Sequence, residues 1–114
     1  MRCFCENKET YDLKVEGDVD TDPIWCNLCG CNFDIDEVPI SDDLKEELMR
    51  WGMMYGEWIE WNKDTLRPSG NKLENKHNTM GKQLTEKVKK ELGTKYKVRF
   101  SPSSSARMYA RLDF

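Results

Sequence analysis

An α+β fold is what the 114-residue chain predicts, and three patterns in it carry that expectation. Apolar residues alternate with polar ones over residues 10–16 and 95–100, the period of a half-buried strand. Between those segments, apolar residues recur every three or four positions from Leu44 to Ile59 and again from Leu73 to Leu92. That is the period of an amphipathic helix. Two close pairs of cysteines bracket the first strand, which places a metal-bound, β-rich segment at the N-terminus. The expected order is therefore a β-rich metal segment, two amphipathic helices, and a C-terminal strand or hairpin.

The first strand puts Tyr11, Leu13 and Val15 on one face, and Gly17 ends it. Asp18, Asp20 and Asp22 then alternate up to Pro23 and read as a solvated acidic loop. A calcium loop of the EF-hand kind would need glycine where Pro23 stands and glutamate where Cys29 stands. Ile24 and Trp25 lead into the second cysteine pair. Phe33 and Ile35 alternate with Asp34 and Asp36, which predicts another short strand, and Pro39 closes the segment.

Ser41 is an N-cap, with Asp42 and Asp43 placed in a first turn where carboxylates favour the helix dipole. The seam Leu44, Leu48, Trp51, Tyr55, Trp58 extends the helix to about Trp61. Gly52 and Gly56 lie inside it, each costing about 1 kcal/mol against alanine. Their presence beside the apolar stripe predicts close approach of another backbone. Residues 62–70 form a polar connection containing Pro68 and Gly70. Asn71 with Glu74 resembles a capping arrangement for the second helix. Its face is Leu73, His77, Met80, Leu84, Val88 and Leu92, and Gly93 is its C-terminal stop. Asn78, Thr79 and Gly81 weaken its middle, so its firm part is expected from about Thr79. Tyr96, Val98 and Phe100 face inward from the last strand. After the Pro102–Ser105 turn, Met108, Ala110, Leu112 and Phe114 alternate as a returning strand of a hairpin would.

The cysteines read Cys3-x-Cys5, then twenty residues, then Cys26-x-x-Cys29-Gly30-Cys31. Zinc takes four thiolates at tetrahedral corners, and two pairs from two chain reversals supply them. In Cys26-x-x-Cys29-Gly30 both sulfurs point into one turn, and glycine permits the tight backbone that follows. The ligand set is Cys3, Cys5, Cys26 and Cys29, with one zinc per chain; Cys31 is the surplus thiol and an alternate ligand. Iron in the same tetrathiolate would make an electron carrier.

This cluster resembles the zinc ribbon, or rubredoxin-like, family over residues 1–36. The resemblance implies two cysteine-bearing β-turns clamping the metal. The first turn departs from it, since Cys3-Phe4-Cys5 replaces the family's Cys-x-x-Cys. That one-residue spacing is similar to zinc-bearing β folds related to the formaldehyde-activating family, whose second, catalytic cysteine set has no counterpart here. The remainder of the chain carries no recognised motif and resembles a small bacterial protein. Two regions follow: a zinc-ribbon-like module over residues 1–40 and a helical, α+β region over residues 41–114.

Charge is distributed unevenly. Residues 1–62 carry a net charge of −11 and residues 63–114 a net charge of +8. Either the halves pack on each other or each meets a partner of opposite sign. Lys95, Lys97, Arg99, Arg107 and Arg111, interleaved with aromatics, are the candidate nucleic-acid contacts. Met49, Met53, Met54 and Trp61 are the candidate surface for a protein partner. His77 is the single histidine, so neither a triad nor a Cys–His dyad is completed and no enzyme is specified. The N-terminus carries no apolar signal segment and no stretch is long enough to span a membrane, which implies the cytoplasm. The expected function is a small, non-enzymatic, zinc-stabilised binding protein whose partner is a protein. Nucleic-acid binding through the basic half and rubredoxin-like electron transfer are the alternatives.

Overall fold

The alternation at residues 10–16 becomes strand β1, Asp12–Val15, whose Leu13 and Val15 are fully buried. The computed structural model describes residues 1–63 and 65–105. On one side β1 pairs antiparallel with β2, Ile24–Cys26, in the register Leu13↔Cys26 and Val15↔Ile24. On its other side it pairs in parallel with Lys97–Phe100, the last strand of the described chain, with Leu13↔Val98. The sheet therefore ties the N-terminal segment to the far end of the described chain. Tyr11 precedes β1 and is 40% exposed, with its ring against Tyr96 and the Lys95 ammonium 4.8 Å from its centroid.

Phe33 and Ile35 are buried as the alternation requires, but the strand expected there is a 3-10 turn, Ile35–Glu37. Asp34 caps it by accepting from the Asp36 amide, and Asp22 reaches across to accept from the Ile35 amide at 2.9 Å. Side-chain acceptors here satisfy the backbone in place of a strand partner.

Helix α1 runs from Asp42 to Met53. Ser41 caps it, accepting from the Leu44 amide at 3.2 Å, and donates its own amide and hydroxyl to the Glu91 carboxylate. The helix stops about two turns earlier than its apolar seam suggests. Gly56 adopts φ +86, which ends helical geometry and turns the chain so that Trp58 still reaches the interior. A two-stranded hairpin follows, with β3, Ile59–Glu60, where the helix was expected to continue, antiparallel to β4, Thr65–Leu66, in the expected polar connection. Among the described residues, no backbone packs closely on Gly52; the nearest atom to a side chain there would be the Pro23 Cβ at 3.9 Å.

Helix α2 is continuous from Gly70 to Leu92. Its N-cap is Ser69, which makes no side-chain capping bond, and Asn71 lies inside the helix. The polar residues expected to weaken its middle are used. Asn78 bonds both the amide and the carbonyl of Ser103, and Thr85 donates to the Gly81 carbonyl at 2.7 Å. Gly81 is the place where the Trp51 and Phe100 rings press against the α2 backbone. The last strand, β5, Lys97–Phe100, completes the sheet in the order β2-β1-β5. The main core lies between this sheet and the helices: Leu13, Val15 and Ile24 meet Leu44, Leu48, Trp51, Leu84 and Val88. The returning strand expected at 106–114 lies outside the described residues. Among the described residues, no helix is long and apolar enough to cross a membrane.

Candidate metal centre and charged surfaces

Two chain reversals of the same design carry the four cysteines. In the first, the Cys3 amide donates to the Lys8 carbonyl at 3.2 Å; in the second, the Cys26 amide donates to the Cys31 carbonyl at 2.8 Å. Each closes through a residue of positive φ, Lys8 at 57° and Gly30 at 79°. β1 and β2 bring the two reversals together, since Cys26 ends β2 and the Thr10 carbonyl holds the N-terminal amine at 3.0 Å.

The ligand atoms of Cys3, Cys5, Cys26 and Cys29 all lie within 4.8 Å of one another, and Cys5 Sγ is 3.6 Å from Cys26 Sγ. Four sulfurs about 2.3 Å from one zinc ion would stand about 3.8 Å apart, so the cluster fits a tetrathiolate with little adjustment. Backbone amides already point at two of the sulfurs. The Cys5 amide donates to Cys3 Sγ at 3.3 Å and the Cys29 amide to Cys26 Sγ at 3.5 Å.

The Cys5 and Cys26 thiols are shifted in opposite directions. Burial pushes Cys26 up, but hydrogen bonds from Thr10, from the amides of Cys29 and Leu28 and from the Cys29 thiol outweigh it and bring it down to about 6. Cys5 is driven far above the ordinary thiol range, first by its hydrogen bond to Cys3 and then by burial and by Cys26 and Cys29. Sulfurs this close cannot all ionise unless a cation joins them. Cys31 stands outside the set of four. Its Sγ faces the Asn32 carbonyl at 3.8 Å, and burial, then the charges of Cys29, Cys3 and Cys26, raise its pKa.

His77 is buried, but it is not satisfied as a core histidine normally is. It is 1% exposed and its Nδ1 has no hydrogen-bond partner among the described residues. The ring stacks on Trp51 with centroids 4.4 Å apart, and Tyr55 and Trp58 close two further sides. A Cβ at Gly17 would lie 3.0 Å from its Nε2, so the glycine makes room on the remaining side. Burial lowers its pKa to about 4, which keeps it neutral. Sequence periodicity indicated the buried face, but nothing in the sequence signals the aromatic enclosure.

The candidate surfaces separate. Met53 is 80% exposed and Trp61 52% exposed, whereas Met49 is half-buried against the main core. Met49 and Met53 line a depression beside the Asp18–Asp22 loop, while Met54 lines another, between α1 and α2. The four residues thus do not share one depression. Lys97 and Arg99 are exposed on β5, and Lys95 lies over Tyr11; Arg107 and Arg111 lie outside the described residues. Between residues 1–62 and 63–114, one ion pair is formed among the described residues, Lys87–Glu47 at 2.9 Å. Among the described residues, ion pairing between the two halves is confined to this contact.

A family model described as Serratia CdiI immunity protein-like matches residues 11–103. That span takes in the three-stranded sheet, both helices and Cys26, Cys29 and Cys31, and it begins after Cys3 and Cys5. The matching family is not the zinc ribbon family expected over residues 1–36; what holds of that expectation is coarser, four cysteine sulfurs close enough together for a metal ion. No curated protein matches the chain.

Proposed function

The chain belongs to the Serratia CdiI immunity protein-like family, and from that premise we propose that it is a bacterial immunity protein. It binds a toxin protein in the cytoplasm and holds it inactive, without catalysis of its own. The family match over 11–103 carries this reading, because it spans every strand and helix named in the described fold. Two features of the molecule support it. The sequence concentrates acidic residues in 1–62 and basic residues in 63–114, and among the described residues one ion pair joins the two, which suits recognition of a charged protein surface and fast association. The single histidine, His77, is kept neutral by burial and is shut away among aromatic rings, which fits a packing role.

The same reading assigns Cys3, Cys5, Cys26 and Cys29 to one structural zinc ion. Four protein sulfurs fill a tetrahedral shell and leave no open position for substrate, so the ion staples the first ten residues to the β1–β2 hairpin. A chain this short buries a modest core, and a metal adds stability where apolar burial is limited.

Growth rescue tests the function. Toxin domains paired with Serratia immunity proteins are expressed in bacteria with or without this chain. Rescue from one of them, with a complex isolated from those cells, is the expected result. Failure to rescue from any would count against the immunity reading. Elemental analysis of natively purified protein tests the metal: about one zinc per chain is expected, one iron would revive electron transfer, and no metal would remove the staple.

A further inference from the structure

β5 is an edge strand with nothing laid along its outer side among the described residues. The opposite edge of the sheet is managed differently. β2 is covered by the chain that follows it, through the Trp25↔Asn32 bridge, the Phe33 amide on the Ile24 carbonyl at 3.0 Å, and the Asn32 side chain on the carbonyls of Asp22 and Ile24. Folded proteins shield edges in this way because an open row of amides and carbonyls is a template for another strand.

The unpaired groups of β5 can be identified from the ladder. The Lys97 amide donates to the Tyr11 carbonyl and the Ser101 amide to the Val15 carbonyl, so the odd-numbered residues face β1. In a parallel ladder the intervening residues turn the other way, and the amides and carbonyls of Val98 and Phe100 point outward. They open onto a groove of about 700 Å³ between β5 and α2, floored by Thr85 and flanked by Lys82, Lys89 and Arg99. A second depression continues it toward Tyr96, past Lys90 and Lys97. Of these cations only Lys89 makes an ion pair among the described residues, with Glu86.

We propose that this groove docks an extended, acidic strand of the toxin, which adds to the sheet beside β5. The inference rests on the immunity reading and names the surface that serves it. Backbone bonding to Val98 and Phe100 sets the register. Carboxylates on the incoming strand meet Lys82 and Lys89 on its helix-facing side and Lys97 and Arg99 on the other, since successive strand residues face opposite ways.

The test is amide hydrogen exchange on the full-length chain, alone and with the purified toxin domain identified by growth rescue. In the free protein the Val98 and Phe100 amides are expected to exchange quickly, and in the complex they are expected to be protected. Lys82→Glu, Lys89→Glu and Arg99→Glu together should weaken the complex about tenfold or more while leaving the melting temperature near that of the parent. Protection already present in the free chain would overturn the proposal, because residues 106–114 or a second copy would then cover the edge. A complex in which both amides still exchange, or one indifferent to the charge reversals, would overturn it and leave the immunity reading intact. No complex with any rescued or candidate toxin would remove both.

Discussion

Replacing Gly81 by alanine should destabilise this protein, although the same change in an exposed helix gains about 1 kcal/mol. The added Cβ would lie 2.6 Å from Trp51 Cζ2 and 2.7 Å from Phe100 Cζ. Carbon atoms in contact settle at about 3.5–4.0 Å, so both rings would have to retreat by about 1 Å. Trp51 has no room to do so. It is fully buried, its Nε1 donates to the His77 carbonyl at 2.8 Å, and its face stacks on the His77 ring. Phe100 is the softer partner, but moving it shifts β5 against β1. Overpacking of this kind costs about 1–3 kcal/mol, and two aromatic rings meeting one new atom place it toward the upper end. Set against the helix gain, the net loss is about 1–2 kcal/mol. For a chain of this length that is a fall of roughly 5 °C in melting temperature. Thermal melts followed by circular dichroism, with urea titrations to check that the slope is unchanged, measure it. Phe100→Leu in the Gly81→Ala background should recover part of the loss. A Gly81→Ala variant melting at or above the parent would refute the argument, since propensity alone would then govern the site.

Three further outcomes are expected. Cys26→Ser should abolish metal binding and lower the melting temperature of the whole chain in one transition, because β1 ties the metal segment to β5; calorimetry showing an unchanged melt, or a separate early transition with the helices intact, would contradict this. Cys31→Ser should keep the full metal content, and a loss of stoichiometry by elemental analysis would bring Cys31 into the ligand set. For His77 the folded pKa of about 4 lies below its ordinary 6.5, so the unfolded chain binds the extra proton first. Its contribution is complete above about pH 6.5 and is lost as pH falls toward 4, amounting to a few kcal/mol. Urea unfolding between pH 7 and 4 should show that slope in the parent and a flatter one in His77→Phe; identical slopes would remove His77 as the cause.

What could be read before the fold was known is whatever depends on neighbours close in sequence. Period-two alternation located β1 and β5, the three-four spacing located α1 and α2, and Ser41 marked a helix start correctly. The cysteine spacing singled out four sulfurs that do converge, because each pair sits within one chain reversal and its geometry is local. The errors lie where a distant contact or a single dihedral decides. Gly56 at positive φ ends α1 while Trp58 keeps its buried place, so the apolar seam outlasts the helix. Asp22 satisfies the Ile35 amide from across the loop and turns an expected strand into a 3-10 turn. Gly81 reads as a weak point in a helix until Trp51 and Phe100 arrive from other elements to fill the space a side chain would take. The enclosure of His77 by Trp51, Tyr55 and Trp58, and the edge position of β5 beside a basic helix among the described residues, exist only once those segments pack. Periodicity reports which face of an element is buried; what stands opposite that face is decided by tertiary packing alone.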